Sequence, residues 1–144
     1  MPREIFTYTA NTATTSFISL PAEYNDQPLS NKIKINNNAY ILYDDKNISV
    51  GKIILATNSN YFKIDENNTS TISNTNYLIA FEDKEESYVI FNMSFRSIPQ
   101  TQGYINKNLR AKAVGTGGKY LGKNVTVDIK IDENTKIRKV ILKY

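Results

Sequence analysis

The clearest periodicity lies near the end of the chain, where Val125, Val127, Ile129 and Ile131 alternate with Thr126, Asp128, Lys130 and Asp132. A period of two places one set on a buried sheet face and the other in solvent. Beyond the turn at Asp132–Thr135 a second apolar run, Ile137 to Leu142, reads as its hairpin partner, with apolar residues on both faces. The run Tyr88–Ser97 divides in a similar way. Val89, Phe91, Met93 and Phe95 form an apolar face, and Tyr88, Ile90, Asn92, Ser94 and Arg96 form a mixed one that suits a polar cavity or an oligomer interface.

No window sustains an apolar period of 3.6, so the chain is predicted to be nearly all-β. The predicted strands are Glu4–Thr9, Thr15–Leu20, Asn38–Asp44, Ile48–Asn58, Tyr61–Asp65, Tyr77–Glu82, Tyr88–Ser97, Asn108–Val114, Asn124–Asp132 and Lys136–Lys143. Breaks are predicted at Pro21–Pro28, Asp44–Asn47, Asp83–Glu86, Pro99–Gly103, Gly115–Gly118 and Asp132–Thr135, and the polar stretch Asp65–Asn76 reads as an exposed loop. Short strands joined by short turns pair sequentially, and their edges must be hidden. The prediction is one domain over residues 1–144, an antiparallel β-barrel of about eight strands, with a β-sandwich or jelly roll as the alternative.

Composition narrows the chemistry. The 144 residues contain no Cys, no His and no Trp. That removes disulfides, thiolate nucleophiles, imidazole bases, the usual serine triad and zinc fingers. Any metal would need all-oxygen ligands. The carboxylate pairs Asp44-Asp45, Asp65-Glu66, Glu82-Asp83 and Glu85-Glu86 fall at turns without the spaced ligand loop of hard-cation sites, so neither metal nor cofactor is expected. No signal-peptide run or eighteen-residue apolar span is present, which predicts a cytoplasmic or virion location away from membranes.

Charge is unevenly distributed. Residues 104–144 hold ten Lys or Arg against three acids, a balance of +7, whereas residues 1–103 hold eight against eleven, a balance of −3. The basic region could meet nucleic acid, but no helix-turn-helix, RNA-binding motif or metal finger accompanies it, and lysines on strands also keep a face wet and blunt edges.

Four of the six glycines, Gly115, Gly117, Gly118 and Gly122, lie in one segment. A phosphate loop fails there, because Ala113 and Tyr120 stand where that motif needs Gly and Ser or Thr. Between strands these glycines instead supply a structural turn, a bulge or a barrel corner. The stretch Val114-Gly-Thr-Gly-Gly-Lys-Tyr-Leu-Gly122 resembles the glycine-rich turn near the end of allene oxide cyclase and dirigent-type barrels. Tyr40-Ile-Leu-Tyr-Asp-Asp-Lys-Asn-Ile-Ser-Val-Gly51 is similar to that family's strand, turn and Val-Gly strand. Ile79-Ala-Phe-Glu-Asp followed by Val89-Ile-Phe-Asn-Met-Ser-Phe is similar to its central hairpin. The likeness covers about residues 38–132. It implies an eight-stranded barrel with an apolar lumen, commonly a trimer or dimer, and carries over no catalytic residue.

Two functional classes follow. The favoured expectation is a non-catalytic barrel acting in binding or homo-oligomeric assembly, as a virion or other structural subunit, partnered by itself. The alternative is a cofactor-free cyclase or isomerase of the allene oxide cyclase-like type, or a carrier of a hydrophobic small molecule in the lumen, where chemistry by shape needs few special residues. Candidate lumen residues are Tyr40, Glu82, Tyr88, Asn92 and Arg96. Each also fits an ordinary packing or surface role.

Overall fold

The computed structural model describes residues 1–9, 14–19, 33–63, 69–97, 108–132 and 134–144. Its strands are β1 (Arg3–Thr9), β2 (Thr14–Ser19), β3 (Ile33–Asp44), β4 (Ser49–Lys63), β5 (Thr69–Phe81), β6 (Tyr88–Ser97), β7 (Asn108–Lys112), β8 (Gly115–Gly117), β9 (Thr126–Ile131) and β10 (Ile137–Lys143). All pairings are antiparallel, in the order β7-β9-β10-β1-β3-β4-β5-β6-β8, with β2 paired to β3 off this path. The two ends of the path are almost the same piece of chain. Only Ala113 and Val114 separate β7 from β8; the Ala113 amide bonds Val125 O on the β9 side at 2.8 Å, and the Val114 amide bonds Ile90 on β6 at 2.8 Å. Residues 108–117 therefore bridge β9 and β6, and the antiparallel strands curl into a half-barrel with its two path ends joined through this segment, β2 remaining paired on one side only among the described residues.

The alternation read from the sequence sets the inside and the outside. Leu42, Ile53, Ile79, Val89, Phe91, Val127, Val140 and Leu142 have no exposed surface and belong to one interior cluster with Phe6, Tyr8, Tyr40 and Tyr120. Three hairpin turns use one device, an Asp that opens the turn followed by a residue in the left-handed region that reverses the chain. The pairs are Asp44 with Asn47 (φ 62°), Asp83 with Glu86 (φ 52°) and Asp132 with Lys136 (φ 62°). The Asp44 carboxylate accepts the amides of Lys46 and Ile48, and the Asp132 carboxylate accepts that of Asn134, each at 2.9 Å.

Three expectations change. The polar stretch predicted as a loop over 65–76 is strand from Thr69 onward. Thr and Ser suit a half-buried pleat when their hydroxyls pair across strands, as Thr57 with Thr75 at 3.0 Å and Ser59 with Ser73 at 2.9 Å do. The two strands predicted at Ile48–Asn58 and Tyr61–Asp65 are one, because β5 continues the ladder past Asn58. The break expected at Gly115–Gly118 is mostly strand β8, followed by a 3₁₀ turn at Gly118–Tyr120. A Cβ at Gly117 would strike the Tyr88 ring, and Gly118 has φ +60°, so the first glycine permits a close cross-strand approach and the second makes the turn. The breaks predicted at Pro21–Pro28 and Pro99–Gly103 lie outside the described residues.

Candidate functional site

Strands β1 and β10 run antiparallel and share an inward face. On it Glu4 lies opposite Leu142, Phe6 opposite Val140 and Tyr8 opposite Arg138. Apolar residues fill the middle, and a charged residue stands toward each end. The two charges are four residues apart along a strand, roughly 14 Å at strand rise.

At the first end the Glu4 carboxylate accepts from Lys119 Nζ at 2.7 Å, Tyr144 Oη at 2.8 Å and Tyr120 Oη at 2.9 Å. Burial alone would raise the Glu4 pKa. The bonds from Lys119, Tyr144 and Tyr120, with the Lys119 charge, outweigh it and hold the carboxyl below its ordinary 4.5. Tyr120 has no exposed surface; burial, then the Glu4 charge, pushes its phenol far above the usual tyrosine range, so it stays a donor. The same turn is tied again where Ser87 Oγ donates to Asp83 at 2.6 Å and accepts from the Lys119 amide at 3.0 Å. Beside this cluster a groove of about 540 Å³ is lined by Glu4, Phe6, Val50, Phe81, Glu82 and Lys119, among others.

The second end has a different character. Arg138 is only 8 % exposed and shares its face with Val140 and Leu142. Its Nη1 is buried without a hydrogen-bond partner, and among the described residues it is the one side-chain polar atom in that condition. Buried polar atoms are nearly always paired, so an unpaired guanidinium nitrogen sets this end of the interior apart. Aromatic rings line the same interior. Tyr8 and Tyr40 lie with centroids 5.0 Å apart, and Tyr77 stacks on Phe91 at 4.6 Å with the planes 7° apart. Flat aromatic faces and one unpaired guanidinium donor therefore share the same buried interior.

The residues singled out in the sequence do not converge. Tyr40 faces the interior. Glu82 is exposed and lines the groove at the Glu4 end. Tyr88 and Asn92 lie on the outer face of β6, opposite in phase to buried Val89, Phe91 and Met93; the Asn92 amide donates to Asn74 and Asn76 at 2.6 and 2.7 Å. This corrects their assignment to the lumen: the apolar set on β6, not the mixed one, points inward. Arg96 is in β6, opposite Ile72, and its side chain lies outside the described residues. Gly115 and Gly117 are in β8, while Gly118 and Gly122 take positive φ at the turn. The basic region gives an outer face on which Lys130 opposes Lys139 and Lys143 opposes Arg3, with Asp128 bonding Arg110 at 2.6 Å and Lys143 at 3.2 Å. Among the described residues no cluster of carboxylates could hold a metal, and no helix is long and apolar enough to cross a membrane.

Glu4, Tyr120, Tyr144 and Arg138 were not among the candidates. Arg138-Lys139-Val140-Ile141-Leu142 did carry the signal, since a period of two puts Arg138 in phase with Val140 and Leu142. Ile141, 2 % exposed on the other face, masked it.

No protein-family model and no curated protein matches the chain. Among solved structures, it is similar to a nonspecific heme-binding cyclase that catalyses a [4 + 2] cycloaddition in neoabyssomicin biosynthesis. The TM-score is 0.59 and the identity 9 %, over 98 % of this chain and 64 % of the other. The present chain thus spans less than two thirds of that protein's length. The likeness relates the fold to a cyclase-type barrel, while the narrower allene oxide cyclase and dirigent family is matched by no family model. It also corrects the favoured expectation of a non-catalytic assembly subunit: the barrel it points to is a cyclase, which agrees with the alternative.

Proposed function

We propose that the protein is a cofactor-free cyclase or isomerase that folds an apolar, unsaturated small molecule within the barrel. The observation that carries this reading is the barrel interior, where Tyr8, Tyr40, Tyr77 and Phe91 supply flat apolar walls. The fold's likeness to a cycloaddition catalyst supports it, as do the segments that resemble allene oxide cyclase barrels. A [4 + 2] closure needs no base, nucleophile or redox partner. Three π bonds become one π bond and two new carbon–carbon σ bonds, and no atom enters or leaves. Holding diene and alkene in contact supplies the entropic part of the barrier, and this chemistry loses nothing by the absence of Cys and His.

The test is incubation of the purified protein, without metal or cofactor, with linear polyenes that each carry a conjugated diene and an isolated alkene. The expected result is a product of unchanged mass and altered chromatographic retention, enriched in one stereoisomer. Tyr40→Trp, which overfills the interior, should slow its formation without unfolding the chain. Product distributions identical to those without protein, across a panel that includes polyenes shown to bind, overturn the reading.

A further inference from the structure

We infer that the Arg138 end of the lumen is an anion-recognition site that takes the carboxylate or enolate oxygen of an otherwise apolar ligand. The inference rests on the proposal that the lumen is the ligand chamber and specifies the class of molecule it admits. Three observations support it. Arg138 is more than nine-tenths buried, in phase with Val140 and Leu142 and directly opposite Tyr8 and Ile131, so its side chain enters the interior rather than the solvent. Its Nη1 has no acceptor. The carboxylates that serve the neighbouring cations are engaged elsewhere: Glu4 with Lys119 at the opposite end, and Asp128 with Arg110 and Lys143 on the outer face.

The guanidinium brings one buried, unpaired donor, Nη1, into the interior, and the planar group that carries it matches an oxygen of a carboxylate or enolate. Left unmatched it is a cost to folding, because desolvation of the charge is not offset. A neutral hydrocarbon would leave the cost in place. A ligand ending in a carboxylate or enolate would remove it, while its apolar remainder lies against the tyrosine and phenylalanine rings. Selection for such a ligand gives a reason for Arg at a position where Leu or Met would pack at lower cost.

The experiment is a calorimetric and NMR titration with 2,4-hexadienoate and its methyl ester, two probes with the same diene and different charge. The expected result is that the anion binds about tenfold more tightly than the ester. Arg138→Gln should remove that preference while keeping ester binding, Arg138→Lys should keep part of it, and Lys139→Gln, on the outer face, should leave it intact. If Arg138→Gln does not fold, thermal shifts of the wild type with the two probes at equal concentration read the same preference. Equal affinities, or a preference that survives Arg138→Gln, overturn the inference and assign the orphaned nitrogen to bound water. The outcome is separate from turnover. Anion preference without any cyclised product leaves the site standing and removes the cyclase, and cyclisation indifferent to substrate charge does the reverse.

Discussion

Glu4 and Arg138 occupy the same inward face of β1 and β10, yet their surroundings differ in kind. Two donors from the 3₁₀ turn, Lys119 and Tyr120, and a third from Tyr144, just beyond β10, meet the Glu4 carboxylate, whereas Nη1 of Arg138 meets no acceptor. The Glu4 end is complete as folded: its polar atoms serve one another, and the network ties Lys119, Tyr120 and Tyr144 to the start of β1. The Arg138 end carries a burial cost with no internal return. Such a contrast separates an end whose polar groups are satisfied by structural bonds from an end whose buried donor is left unmatched.

The contrast is broken most forcefully at Glu4. Glu4→Leu leaves two phenols and an ammonium without their acceptor, one of the phenols fully buried, and should cost about 2–3 kcal/mol of unfolding free energy in urea titrations. Arg138→Met should act in the opposite direction. A guanidinium whose buried Nη1 has no acceptor is replaced by an apolar chain of similar length, and the variant should be more stable by about 1 kcal/mol. If Arg138→Met loses as much stability as Glu4→Leu, both residues are structural and the two ends are alike.

The two ends also differ in how far they could be read in the sequence. The all-β class follows from alternation alone, because Val125 to Ile131 and Val89 to Met93 each place a full apolar set on one side, which fits a barrel and a sandwich equally. Closure does not follow, since it depends on Ala113 and Val114 bonding to two different strands. The Glu4 network joins residues more than a hundred positions apart, and no local pattern encodes such a meeting. Arg138 was legible by phase but hidden by Ile141, an apolar residue buried on the outer face. Tyr88 was assigned to the lumen on composition, although it packs outside against Gly117, where the missing Cβ leaves room for its ring.

Tyr120→Phe sharpens the account of the Glu4 end. It removes one donor and no volume, and Glu4 keeps Tyr144 and Lys119, so the loss should be about 1 kcal/mol. A loss equal to that of Glu4→Leu would mean that Tyr120 alone holds the network and that the other two bonds are incidental.

The smallest expected effect is in pH. A carboxyl whose pKa is lower in the folded state than its ordinary 4.5 adds stability above that value and loses the contribution as pH falls through the folded pKa. The wild type should therefore lose more stability than Glu4→Gln between about pH 5.5 and about pH 3. Asp83 and Asp128 are also held low, Asp83 by Ser87 and Asp128 by Arg110, but they titrate in both proteins and cancel in the difference. The Arg138 end supplies the control, because Arg138→Met leaves Glu4 and its three donors in place. Wild type and Arg138→Met should run parallel with pH, offset by a constant. Parallel curves for Glu4→Gln instead would mean that the three donors do not favour the ionised carboxylate, and the distinction between a satisfied end and a waiting one would lose its electrostatic basis.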